Sequence, residues 1–254
     1  MSTLLLEAEA VSKRFSGIVA LSDVSMQVAD GEFVAVIGPN GAGKSTLFNC
    51  LSGVLRPDRG SVRFKGRSLE RLRPSARARL GMARTFQRIE LFGGMTVLDH
   101  LIVADRARTR RGGLWSDLFR GSRPTAEELE RCGIVLELVG LTEWADRPAE
   151  SLSLGKGRLV ELARALMCDP ALLFLDEPSS GLDRHETSEM SATLETVSRE
   201  HGTAIVLIEH DVPMVRRLAA RTYVLDYGQL IADGPTEDVL DDERVRVAYL
   251  GDNS

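Results

Sequence analysis

Lysine is nearly absent from this chain: only Lys13, Lys44, Lys65 and Lys156 occur, and arginine supplies the rest of the positive charge. An excess of positive charge is missing too, since acidic residues outnumber basic ones 37 to 32 and the net charge is −5. That balance argues against a general nucleic-acid binder, which carries a basic patch or tail. Cysteine is rare, and Cys50, Cys132 and Cys168 show no metal-ligand spacing. Their apolar surroundings point to buried free thiols in a reducing compartment rather than to disulfides. No apolar run reaches the roughly 18 residues of a membrane span. The start, Met1-Ser-Thr-Leu-Leu-Leu-Glu7, lacks the charged and apolar regions of a signal peptide. The chain is therefore expected not to cross a membrane itself, while docking on one stays open. No internal repeat is visible.

What is present fits a globular α/β protein. At 254 residues the chain can hold one large or two small domains around a substantial core. Residues 4–11, 20–28 and 61–64 read as strands separated by turns such as Asp30-Gly31 and Arg59-Gly60. A short helix at 75–80 and a strand at 82–86 follow. Then the pattern changes to helical spacing over 97–108 and 125–139, with Thr125, Glu127 and Glu128 suited to a capped helix start. Between them, 108–123 is basic and Gly-containing. It reads as a solvated loop or as an electrostatic contact with anionic headgroups or a partner. After Gly157, helices at 159–168, 185–200 and 212–218 alternate with strands at 171–176, 203–208 and 222–225. Two short helices are expected over 235–250. The alternation implies a mostly parallel sheet covered by helices, with a helical insertion.

The nonapeptide Gly38-Pro39-Asn40-Gly41-Ala42-Gly43-Lys44-Ser45-Thr46 is the most specific feature. It matches G-x-x-x-x-G-K-[ST], the phosphate-binding loop. Its glycines let successive N–H groups form a nest for an anion, Lys44 reaches the β- and γ-phosphates, and the Ser45 hydroxyl ligates Mg²⁺. Roughly one random chain in a hundred of this length would carry the pattern, so a turn that binds nothing is the alternative. The apolar run Glu32–Ile37 before it and Leu47–Leu51 after it supply the strand and the helix N-terminus that a phosphate site needs.

Two further strand ends carry chemistry. Leu172-Leu-Phe-Leu ends in Asp176 and Glu177, at the sheet edge where α/β proteins bind ligands. There Asp176 can hold Mg²⁺ through water and Glu177 can polarise a water toward the γ-phosphate. A carboxylate pair alone is more often a helix cap or a solvated turn. Ile205-Val-Leu-Ile208 ends in Glu209-His210-Asp211, and a neutral His210 can meet the γ-phosphate or orient the attacking water. A histidine at a strand end is otherwise more often structural.

Together these residues make the chain resemble the nucleotide-binding subunits of ABC transporters, from about Leu4 to Leu250. The resemblance implies a P-loop NTPase fold with an N-terminal antiparallel β region. It implies a core of residues 1–89 and 156–234, a helical subdomain at 90–155 and a helical tail at 235–254. It makes Gln87 the Q-loop glutamine, a contact to Mg²⁺, and Asp183 part of the D-loop in Ser180-Gly-Leu-Asp183. His210 becomes the switch histidine, and Phe15 the aromatic that stacks on adenine, with a core role as the alternative. A finer similarity links Ala83-Arg-Thr-Phe-Gln87, Leu91-Phe92, Met95-Thr-Val97, Ile208-Glu-His-Asp211 and Val247-Ala-Tyr-Leu-Gly251 to the G-type ATPases of high-affinity branched-chain amino-acid importers.

The signature motif departs from the usual L-S-G-G-Q, reading Leu152-Ser153-Leu154-Gly155-Lys156. Ser153 and Gly155 remain, while Leu154 and Lys156 replace a glycine and the glutamine. In the family this segment completes the ATP site of a second subunit. The resemblance thus implies ATP and Mg²⁺ as ligands and a second ABC ATPase, either homologous or a copy of this chain. It also implies two transmembrane permease subunits, an extracytoplasmic solute-binding protein acting indirectly, and no nucleic acid. The expected place is the cytoplasmic face of the membrane. Transport of urea or amides, export of lipid or polysaccharide, and a regulatory switch with little hydrolysis stay as alternatives.

Overall fold

The computed structural model describes residues 4–85, 90–109 and 123–250. Gln87 and residues 110–122 of the basic stretch lie outside them. Leu4–Phe15 (β1) and Ile18–Ala29 (β2) pair antiparallel. Further along, Phe33–Ile37 (β3) enters a second sheet, while Arg59–Phe64 (β4) and Arg67–Ser68 (β5) return to the first, in the order β2-β1-β4-β5. Ala8, Val11, Leu21, Val24, Met26 and Val28 are buried while their strand neighbours are more open, as expected of a sheet with one wet face.

The second sheet adds Met82–Arg84 (β6), Leu172–Asp176 (β7), Ala204–Ile208 (β8), Arg221–Asp226 (β9) and Gln229–Pro235 (β10), in the order β10-β9-β3-β8-β7-β6. All neighbours are parallel except β9 and β10. Every residue of β3, β7 and β8 is buried, because helices or the first sheet cover both faces. Lys44–Ser52 (α1) fills the space between the sheets, where Leu47, Phe48 and Leu51 join one core with residues of β1 to β4, β7 and β8. Pro74–Ala78 (α2) lies beside it, its buried Arg77 donating to Leu51 and Leu69 carbonyls.

The opposite face of the sheet carries the other core. Val97–Thr109 (α3), Ala126–Leu138 (α4), Leu154–Leu166 (α5), Arg184–His201 (α6) and Val212–Leu218 (α7) contribute to it, as do Thr236–Asp241 (α8) and Glu243–Leu250 (α9). Thr125 and Glu128 form the expected capping box at the start of α4. Two ion pairs tie α4 to α3. Arg131 grips the buried Asp105 with Nε at 2.9 Å and Nη2 at 2.6 Å, and Arg106 grips the buried Glu128 at 2.8 and 3.1 Å.

Three sequence expectations change. The helix expected from Leu159 starts at Leu154, because Ser153 caps it by accepting the Lys156 N–H; Gly155 and Gly157 are both buried, and a Cβ on Gly155 would lie 2.6 Å from Glu186 Cδ. Strand β10 is unanticipated; its Asp-Gly-Pro ending reads as turn, and pairing with β9 creates it. Cys50 and Cys132 are buried free thiols, but Cys168 is half-buried.

Candidate nucleotide site

Parallel register gathers the chemistry at one edge. Asp176 pairs with Ile208, Val36 also pairs with Ile208, and Ile37 pairs with Val224, so β3, β7, β8 and β9 end together. The loop after β3 is held closely by its neighbours. A Cβ on Gly38 would collide with the Leu225 carbonyl, and one on Gly43 would stand 2.5 Å from the Ala20 carbonyl oxygen. Both glycines have positive φ, 150° and 101°, so only glycine meets both the conformation and the space. The Ala42 carbonyl accepts the Gly228 N–H at 2.9 Å, pinning the loop to the β9–β10 turn.

Gly43 caps α1 without a side-chain hydrogen bond, so the first amides of the helix face the loop. Asn40, Gly41 and Ser45 are exposed, while Pro39, Thr46 and the Gly43 backbone are half-covered. Lys44 is buried and donates to the Gly38 and Pro39 carbonyls at 2.7 and 2.9 Å. Burial lowers its pKa, and the nearby Glu177 and Asp176 partly restore it.

Asp176 is buried, and its Oδ1 has no hydrogen-bond partner among the described residues. Its pKa is raised by burial first and by Glu177 second, against Arg84, Lys44 and Arg158. An orphaned carboxylate oxygen at the end of β7, on the same sheet edge as the loop that carries Ser45, fits a hydrated Mg²⁺, which prefers oxygen ligands and retains waters. Glu177 has a left-handed φ of 49°, an uncommon state for a non-glycine residue that turns it out of the strand direction. Its Oε1 lies 2.9 Å from His210 Nε2.

Sequence reasoning missed two residues that position this group. Glu209, 2% exposed, accepts the Ser179 N–H at 2.9 Å and the His210 and Asp211 N–H groups at 2.8 and 3.2 Å. It fixes the turn after β8 to the turn after β7. Arg84 donates to Asn49 Oδ1 and Ser52 Oγ and stacks over Phe48, joining the end of β6 to α1. The signal for Glu209 was its place between an apolar strand and a histidine, which the sequence displays without naming its partners.

Comparison with known proteins decides the family. A sequence profile described as "ABC transporter" matches residues 21–180, and one described as "Branched-chain amino acid ATP-binding cassette transporter" matches 229–253. The chain belongs to the ABC transporter family. It is 40% identical to the high-affinity branched-chain amino acid transport ATP-binding protein LivG of Salmonella typhimurium, over 99% of this chain and 100% of that one. Identity to BraF of Pseudomonas aeruginosa, with the same descriptive name, is 38% over equal shares. The solved ADP conformation of MJ1267, an ATP-binding cassette of an ABC transporter, matches with a TM-score of 0.87 and 32% identity, covering 98% of this chain and 100% of that one. The fold is thus that of a P-loop ABC ATPase, and the chain is a nucleotide-binding ATPase.

In this ABC ATPase, Phe15 is 43% exposed at the end of β1, with Lys13 Nζ 5.6 Å from its ring centre. An open ring is available for stacking, and the core alternative for Phe15 is excluded by its exposure. Asp183 caps α6 by accepting the Glu186 N–H at 2.8 Å. Ser153 and Gly155 meet Glu186 rather than the phosphate loop of the same chain. Lys156 directs its ammonium over the Trp144 ring, 4.7 Å from the centre. Leu154, 43% exposed, packs against Gly181, where an added Cβ would lie 2.9 Å from Leu154 Cδ2. Helix α5 also holds Glu90: Glu161 Oε1 accepts the Glu90 N–H at 3.0 Å, and Arg164 donates to the Glu90 carbonyl at 2.9 Å.

Proposed function

We propose that this ABC ATPase drives uptake of branched-chain or related hydrophobic amino acids. The carrying observation is the convergence of Lys44, Asp176, Glu177 and His210 on one sheet edge. The loop amides and Lys44 bind the phosphates of ATP, and Phe15 stacks on the base. Ser45, Asp176 and Gln87 would hold Mg²⁺, which when bound would neutralise phosphate charge. Glu177 accepts a proton from the attacking water, and His210 holds Glu177 and the γ-phosphate in register. Positioning and electrostatic stabilisation account for most of the rate.

Two such chains, or this chain and a homologue, face each other head to tail. Ser153, Gly155 and Lys156 of each then complete the other's site, with Asp183 lining the contact. Two permease subunits dock near Gln87 and the helical subdomain at 90–155, and a solute-binding protein acts on them from outside. This puts the chain on the cytoplasmic face of the membrane. No helix among the described residues is long and apolar enough to span it. The relatives' names support the amino-acid cargo.

The test is ATPase activity of the chain assembled with its membrane subunits in proteoliposomes. Stimulation by a binding protein loaded with leucine, isoleucine or valine is expected. Stimulation only by urea or short amides would replace the cargo. No stimulation by any membrane subunit would favour a nucleotide-dependent switch.

A further inference from the structure

Signature serine and glycine are engaged inside the subunit. Ser153 Oγ donates to Glu186 Oε1 at 2.9 Å, and the Gly155 N–H donates to the same oxygen at 3.2 Å. The approach is close, since a Cβ on Gly155 would lie 2.6 Å from Glu186 Cδ. The carboxylate therefore sits on two donors at the start of α5, where the helix favours an anion. Its other oxygen accepts the Asp183 N–H at 3.4 Å, within the capping box of α6. The cation of the segment does not neutralise it: Lys156 lies over Trp144 and forms no ion pair with Glu186 among the described residues.

We propose that Glu186 is a positioning residue that occupies the anion place of the signature segment, so that the partner's ATP must displace its carboxylate to close the site. The proposal rests on the reading that Ser153 and Gly155 face the ATP of a second subunit. Each donor hydrogen serves one acceptor, and a carboxylate and a phosphate oxygen a few ångströms apart repel. Both anions cannot hold the segment together. Glu186 is only half-buried, so its side chain has solvent to turn into. In leaving, it gives up the Asp183 N–H as well, which loosens the start of α6 beside the D-loop. The Glu186 contact thus keeps Ser153 and Gly155 shaped for an oxyanion while making closure conditional on ATP.

The experiment compares wild type, Glu186→Gln and Glu186→Asp in the assembled transporter, reading the KM for ATP and kcat separately. The glutamine keeps an acceptor for the cap without the charge, and the aspartate keeps the charge without the reach. Both are expected to lower KM about three- to tenfold, the difference between a charged and a neutral or lost hydrogen bond. Binding of a fluorescent ATP analogue to the isolated chain should be unchanged, and melting temperatures identify any variant that fails to fold. A purely structural Glu186 would lower kcat and leave KM unchanged or raised, and that result in both variants overturns the proposal. Ser153→Trp separates the two levels. Loss of turnover with an unmoved Glu186 KM sinks only the Glu186 inference, whereas wild-type turnover in Ser153→Trp sinks the signature reading itself.

Discussion

His210 Nε2 stands 2.9 Å from Glu177 Oε1, joining the turn after β8 to the turn after β7 across parallel strands. Glu209 stabilises that approach from beneath by holding the backbone of Ser179, His210 and Asp211. The pair therefore sits on a fixed floor, while both side chains remain partly open to solvent. That arrangement suits a base that must meet a water and a partner that must keep it aimed.

Glu177→Gln is expected to retain ATP and to lower single-turnover hydrolysis about 100-fold or more, within the range for removing a general base. His210→Ala should also slow turnover, by about 10-fold or more, through the misplaced carboxylate. Single-turnover kinetics with pre-bound nucleotide reads both. Wild-type hydrolysis in His210→Ala would make the contact a packing feature.

Lys44→Ala should act on binding. The ammonium now donates to the Gly38 and Pro39 carbonyls, and phosphate oxygens would exchange those neutral acceptors for charged ones. Hydrogen bonds to charged groups contribute about 1.5–3 kcal/mol each, so ATP affinity should fall about 10-fold or more. Calorimetric titration with ATP measures it. An unchanged affinity would remove Lys44 from the phosphate site.

The phosphate loop was legible because its chemistry is local: Gly38, Gly43 and Lys44 are needed for backbone path and charge within nine residues. Asp176 and Glu177 were legible because an apolar strand announces where its polar end emerges. Glu209 was hidden because its three backbone partners come from two turns that only the sheet register brings together. The early start of α5 was hidden for a related reason. Gly155 and Gly157 lower helix propensity, and the compensation comes from Ser153 and from Glu186, some thirty residues away. The altered signature residues also have local homes, Leu154 against Gly181 and Lys156 over Trp144, that no motif describes.

Glu128 gives an acid-side prediction. Arg106, with the Thr125 N–H, holds its carboxyl down to about 2 despite the opposing effect of burial. The folded value lies below the unfolded one, so its stabilisation is complete above about pH 4.5 and is lost as pH falls through the folded value. Glu128→Ala removes the capping box and leaves Arg106 half-buried without this partner. It should cost about 2–4 kcal/mol at neutral pH, and the deficit should shrink under acid. Urea denaturation across that window tests it; a pH-independent deficit would assign the loss to packing.

His100 gives the neutral-side counterpart. It is 1% exposed, accepts the Phe92 N–H at Nε2 (2.9 Å) and donates from Nδ1 to the Thr96 carbonyl (2.8 Å). Those partners require the neutral ring, because a protonated Nε2 cannot accept. Burial lowers its pKa, Arg164 adds to the effect, and the Thr96 carbonyl and Asp99 oppose it. The unfolded chain therefore takes up the proton first. The stabilising contribution is complete above about pH 6.5 and declines as pH falls toward the lower folded value. The ring also stacks on Phe92, centroids 6.0 Å apart, and Phe92 is itself 58% exposed. Melting temperature should thus drop between about pH 7.5 and pH 5.5 in wild type, and drop less in His100→Leu, which starts lower because the Phe92 N–H loses its acceptor. Equal pH dependence in the two proteins would show that His100 does not carry the transition.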